Sequence, residues 1–90
     1  MYVICVYDVN EKRCPKVMKV LRKYLFHIQN SVFEGELTPA KYKILQKELN
    51  QITADEDQII FYYSYSNKSI NKIVKGKRGD QHENIIIKFD

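Results

Sequence analysis

The sequence predicts an α+β sandwich, two helices on one face of a mainly antiparallel sheet, and three observations carry that prediction. Residues Tyr2-Val3-Ile4-Cys5-Val6-Tyr7-Asp8-Val9 are apolar or aromatic at every position but Asp8, with no glycine or proline. That is the pattern of a strand buried on both faces. Two amphipathic stretches follow, each with a proline at its start, which suits the first turn of a helix. After the second comes Gln58 to Tyr65 (QIIFYYSY), rich in aromatic and β-branched residues and strand-like throughout. Strand, helix, one or two strands, helix, strand within residues 2–65 is the ferredoxin-like βαββαβ order, here with an extra C-terminal strand.

Taken in order, Asn10 to Cys14 is a polar loop leading into a first helix at Pro15. Val17, Val20, Leu21, Tyr24 and Leu25 recur there at helical spacing, with Lys12, Lys16, Lys19 and Lys23 on the opposite side. Such lysines are commonly a solvated face. His27 to Leu37 reads as extended chain, either one bent strand or two very short ones, with Gly35 suggesting a bulge. Thr38-Pro39 is a cap followed by a first-turn proline, and Tyr42, Leu45, Leu49 and Ile52 form the second helix's apolar stripe. Thr53 to Asp57 is a polar turn. From Ser66 to Glu83 the pattern is weak: a polar turn, an apolar pair at Ile70 and Ile73, then a basic loop from Lys75 to Asp80. Asn84 to Phe89 is a last short strand.

Ninety residues suit a single domain spanning 1–90, small enough that a partner is a natural source of added stability. The net charge of +4 permits an anionic partner without demanding one. Cys5 and Cys14 make no C-x-x-C pair and lack a second cluster for zinc, which fits a reducing compartment. No leader and no apolar run long enough for a membrane span is present, so the expected setting is the cytoplasm, with no membrane partner.

Two helices cover one sheet face only, yet the first strand is apolar at both parities. Val3, Cys5 and Tyr7 occupy one side, Ile4 and Val6 the other. A second copy of the chain is the simplest cover for the exposed side, which predicts a homodimer packed through the sheet faces. Asp8 shares parity with Ile4 and Val6 and therefore looks toward that seam.

Asp8 alone is a poor metal site, because Mg2+ takes one or two carboxylates together with waters and phosphate oxygens. A two-fold axis would supply a second Asp8, and an ion held there could polarise a phosphodiester. The alternative is a loop-capping Asx bond made by Asp8. Lys12, Arg13 and Lys16 after the first strand, and Lys75, Lys77 and Arg78 on a glycine-flanked loop, suit phosphate contacts. His27 and His82 as an acid–base pair, and Tyr62, Tyr63 and Tyr65 as base-stacking groups, compete with ordinary surface and core roles.

Tyr7-Asp8-Val9, Lys12-Arg13 and Ser31-Val32-Phe33-Glu34-Gly35-Glu36-Leu37 together resemble the CRISPR-associated protein 2 family, over nearly the whole chain. The resemblance implies a ferredoxin-like homodimer that binds duplex DNA and bridges dimers of the adaptation integrase during spacer acquisition. It further implies a Mg2+-dependent endonuclease activity on RNA or DNA, with Asp8 as the metal-binding residue and Tyr7 and Phe33 beside it in the catalytic set. Arg13 and Lys16 match its first basic positions, and the loop holding Lys77 and Arg78 its second DNA-backbone contact. Cys14 stands where the family often has a further arginine. Segment 84–90 would be exchanged onto the partner's sheet. A free-standing toxin-type endoribonuclease and a small-molecule-sensing regulator are the alternatives on the same fold.

Overall fold

The computed structural model describes residues 1–66, 69–76 and 81–88. Its elements run β1 (Tyr2–Asp8), α1 (Cys14–Arg22), β2 (Phe26–Gln29), β3 (Val32–Glu36), α2 (Pro39–Ile52), β4 (Gln58–Ser66), β5 (Ser69–Lys75) and β6 (Gln81–Lys88). The six strands form one sheet in the order β2-β3-β1-β4-β5-β6, and each neighbouring pair is antiparallel. The inner part of that order, with β1 between β3 and β4, is the ferredoxin-like arrangement expected from the sequence.

β1 is central because its sequence is apolar at both parities. Val3, Cys5 and Tyr7 are buried against the helices, while Ile4 and Val6 are half-buried on the side the helices leave open. The core beneath the helices includes Val17 and Leu21 of α1, Leu45 and Leu49 of α2, Phe33 and Ile59. Burial there pushes the Cys5 thiol up to about 12, so it stays protonated at neutral pH and behaves as a small apolar residue. α2 begins as expected: Thr38 caps it, its Oγ1 accepting from the Lys41 amide at 3.2 Å, and a proline opens the first turn.

One alternative is resolved and other expectations need correction. The stretch 27–37 takes the two-strand reading, as a hairpin turned at Asn30, whose φ of 40° is the left-handed region that asparagine tolerates. Its irregularity lies in β2, between His27 and Gln29, and Gly35 sits in regular register opposite Val3. A Cβ on Gly35 would come within 3.2 Å of Leu25 Cδ2, so the glycine serves packing there. Finally, the weak region after Ser66 contains β5, and Lys75 ends that strand where the sequence suggested a loop. β6 begins at Gln81, earlier than expected, and pairs with β5 within the chain. No helix among the described residues is long and apolar enough to cross a membrane.

Candidate functional site at the carboxyl end of the first strand

Asp8 stands exposed at the end of β1, paired in the ladder with Gln58 at the start of β4. Strand alternation places its side chain on the open face with Ile4 and Val6. Cross-strand register adds Ile60 and Tyr62 of β4 and Val74 of β5 to the same face. Toward the far end, Tyr2, Ile4, Tyr62 and Ile70 line a shallow apolar groove. There Glu34 holds the Tyr2 phenol above its usual pKa, chiefly by a hydrogen bond. The face is apolar along its middle and acidic at both ends of β1.

Among the described residues no hydrogen-bond or ion-pair partner reaches the Asp8 carboxylate. The Asx-type bond in the following loop is made instead by Asn10, whose Oδ1 accepts from the Lys12 amide at 3.1 Å. Lys12 and Lys16 are exposed beside this loop.

Arg13 is placed differently from its two lysine neighbours. Its Nε donates to Asp57 Oδ2 at 2.6 Å and its terminal nitrogen to Asp57 Oδ1 at 3.0 Å, with Glu56 as a further partner. Asp57 also accepts from the Asn10 amide and the Ala54 amide, both at 2.9 Å. The Arg13 guanidinium, assisted by those amides, holds the Asp57 carboxyl far below the usual carboxylate range against the opposing effect of burial. This ion pair joins residues 44 apart in sequence, and the polar run Thr53 to Asp57 contained no signal beyond its three acids to mark which would be buried.

Tyr7 and Phe33, grouped with Asp8 on resemblance, lie on the other side of the sheet. Both are buried, with ring centroids 6.2 Å apart. Burial raises the Tyr7 phenol above its usual range. They shape the core under β1 and do not line the open face. His27 stacks on Phe33 at 4.6 Å near the sheet edge, and its Nε2 lies 2.7 Å from the Asn30 carbonyl; the side chain of His82 is outside the described residues. Tyr63 packs against Tyr42 on the helix side, while Tyr62 faces the open side with Lys72 above its ring.

Lys75 donates from Nζ to Thr53 Oγ1 at 3.1 Å, tying the end of β5 to the α2–β4 turn. At Gly76 a Cβ would fall 2.9 Å from Gln58 Cγ and 3.1 Å from Gln58 Cα. Only glycine permits this approach of the backbone to Asp8's cross-strand neighbour. Gly76 thus sits against Gln58, the ladder partner of Asp8; Lys77 and Arg78 lie outside the described residues. Among the described residues no group of three or more potential metal ligands occurs. Among the described residues Asp8 is the one carboxylate at this strand end, and a single carboxylate fits Mg2+ only where water and phosphate oxygens, or a further carboxylate, complete the set.

The element order β1-α1-β2-β3-α2-β4, with β1 between β3 and β4 and both helices on one face of the sheet, makes this a ferredoxin-like α+β protein. The chain belongs to the CRISPR associated protein Cas2 family, whose sequence profile matches residues 1–73. It is 51% identical over 83 residues to the CRISPR-associated endoribonuclease Cas2 of Dictyoglomus turgidum, covering 87% of this chain and 95% of that one. The corresponding Thermotoga maritima protein is 53% identical over 72 residues, covering 79% of this chain and 83% of its own. A Cas2 crystal structure superposes with a TM-score of 0.68 at 43% identity, covering 92% of this chain and 84% of that chain.

Proposed function

We propose that this chain acts as a homodimeric, Mg2+-dependent endonuclease and nucleic-acid-binding subunit of CRISPR adaptation, with the two Asp8 carboxylates meeting across the open sheet faces. The observation that carries this reading is the position of Asp8. It is exposed and unpaired among the described residues, on the one apolar sheet face that the chain's own helices do not cover. Two such faces brought together about a two-fold axis bury Ile4, Val6 and Ile60 and turn one carboxylate per chain into a pair. A bound magnesium ion would supply Lewis-acid polarisation of a phosphodiester. Lys12 in the loop that follows Asp8 and Lys16 in the first turn of α1 are exposed and suit contacts with the phosphates of such a substrate. The names of the relatives support ribonucleic acid as a substrate.

In the adaptation role, the dimer holds duplex DNA along its basic loops and bridges integrase dimers in the cytoplasm. Segment 84–90 docks onto the partner's sheet. Pull-down of the neighbouring integrase with and without the segment from Asn84 tests that contact.

The test of the centre is Asp8→Asn in the full chain. Magnesium-dependent cleavage of RNA or DNA oligonucleotides should fall at least about 100-fold, as for removal of a metal ligand's charge, with the sedimentation coefficient of a dimer retained. Chelator should silence the native chain equally. Cleavage that survives both Asp8→Asn and chelator, or a chain that sediments as a monomer, overturns the reading.

A further inference from the structure

Asp57 is buried to 3% exposure, and no part of the proposed chemistry uses it. A carboxylate that deep is costly unless its lone pairs are all satisfied, and here they are. Oδ1 accepts from the Asn10 amide and from Arg13, and Oδ2 from Arg13 and the Ala54 amide. The donors come from two places. Asn10 and Arg13 belong to the loop that leaves β1 directly after Asp8; Ala54 belongs to the turn that enters β4. Gln58, Asp8's ladder partner, follows Asp57 in the chain. One buried carboxylate thus grips the backbone of the loop that leaves β1 and of the turn that enters β4, the two segments adjoining Asp8 and its ladder partner.

We propose that Asp57 and Arg13 are positioning residues, a clamp that fixes the chain on either side of Asp8 and thereby sets where its carboxylate stands. The proposal rests on Asp8 being the metal-binding residue of the function above. It also gives Arg13 work different from that of Lys12 and Lys16. A guanidinium engaged as a two-pronged donor to a buried carboxylate is not free to fork onto a phosphate, whereas the two exposed lysines are. The basic cluster after β1 divides into one residue that holds the loop and two that meet the ligand.

The experiment uses the full-length chain with Arg13→Lys, Asp57→Asn and Lys12→Ala. Three readouts are taken: amide hydrogen exchange at Asn10, kcat and KM for Mg2+-dependent cleavage of a single-stranded RNA, and the salt dependence of RNA binding. Arg13→Lys keeps the charge and loses the planar fork, so a mere phosphate contact survives it and the clamp does not. Arg13→Lys and Asp57→Asn should each speed Asn10 exchange about tenfold or more and lower kcat about 100-fold, the scale of an ångström of misplacement, with KM and the salt slope held. Lys12→Ala should leave Asn10 exchange unchanged and reduce the slope of log K against log salt by about 0.7, one phosphate contact on a single strand. Native Asn10 exchange in Arg13→Lys overturns the clamp, and so does faster exchange with kcat untouched. Should the native chain and Asp8→Asn cleave alike, it is the Asp8 reading that fails, and Asn10 exchange alone then decides the clamp.

Discussion

The two faces of the sheet are built from the same kinds of residue and serve different ends. Under the helices, Val3, Cys5 and Phe33 are fully buried and close a core with Leu21, Leu45 and Leu49. On the other side Ile4, Val6, Ile60 and Tyr62 are equally apolar yet only half-buried. The covered face accounts for the fold of the single chain. The uncovered face leaves apolar side chains partly open to solvent, and it is the face through which the proposed dimer would pack.

Substitutions can break or sharpen this contrast. Phe33→Ala, on the covered face, should cost the most, about 3–5 kcal/mol from lost burial and a cavity, read as a shift in the urea midpoint. Next comes Asp57→Ala, which strands buried amide donors and Arg13; about 3 kcal/mol is expected, a fall in Tm of roughly 12–24 °C. Its pH signature is specific. The folded-state pKa of Asp57 lies below its ordinary value of 3.8, so its contribution is present above that pH and is lost as pH falls toward the folded value. Asp57→Asn should flatten the acid limb of a stability–pH curve. A residual slope should remain from Glu48, which is lowered by hydrogen bonds from Lys23 and Tyr24. Thr38→Ala, removing a helix cap at the edge of the covered layer, should cost about 1 kcal/mol in the same denaturation assay. Least affected should be the fold of Ile60→Asp, on the open face: far-UV circular dichroism at low protein concentration should stay native while sedimentation shifts to a monomer. An Ile60→Asp chain that still sediments as a dimer would place the contact elsewhere.

What the sequence made legible follows from how local each signal is. β1, α2 and β4 could be read directly, because apolar pattern and cap chemistry act over a few residues. The doubly apolar β1 even announced the open face. β5 could not: Ser69-Ile70-Asn71-Lys72-Ile73-Val74-Lys75 mixes polar and apolar residues on both of its sides, and it is a strand because β4 offers it a ladder. Asp8's exposure was readable from its place at a strand end. The partition of the basic residues was not, since nothing near Arg13 in the chain shows that a carboxylate 44 residues on will engage it. Tyr7 was grouped with Asp8 on the family resemblance, whereas adjacent residues in a strand point to opposite faces.

The margin formed by β2 has a consequence for how the molecule behaves when crowded. That margin is only four residues long, carries an irregularity between His27 and Gln29, and leaves Phe26 76% exposed. A short, kinked border is a poor template for another chain's backbone. Runaway side-by-side polymerisation is therefore discouraged on that flank even though a greasy ring sits there.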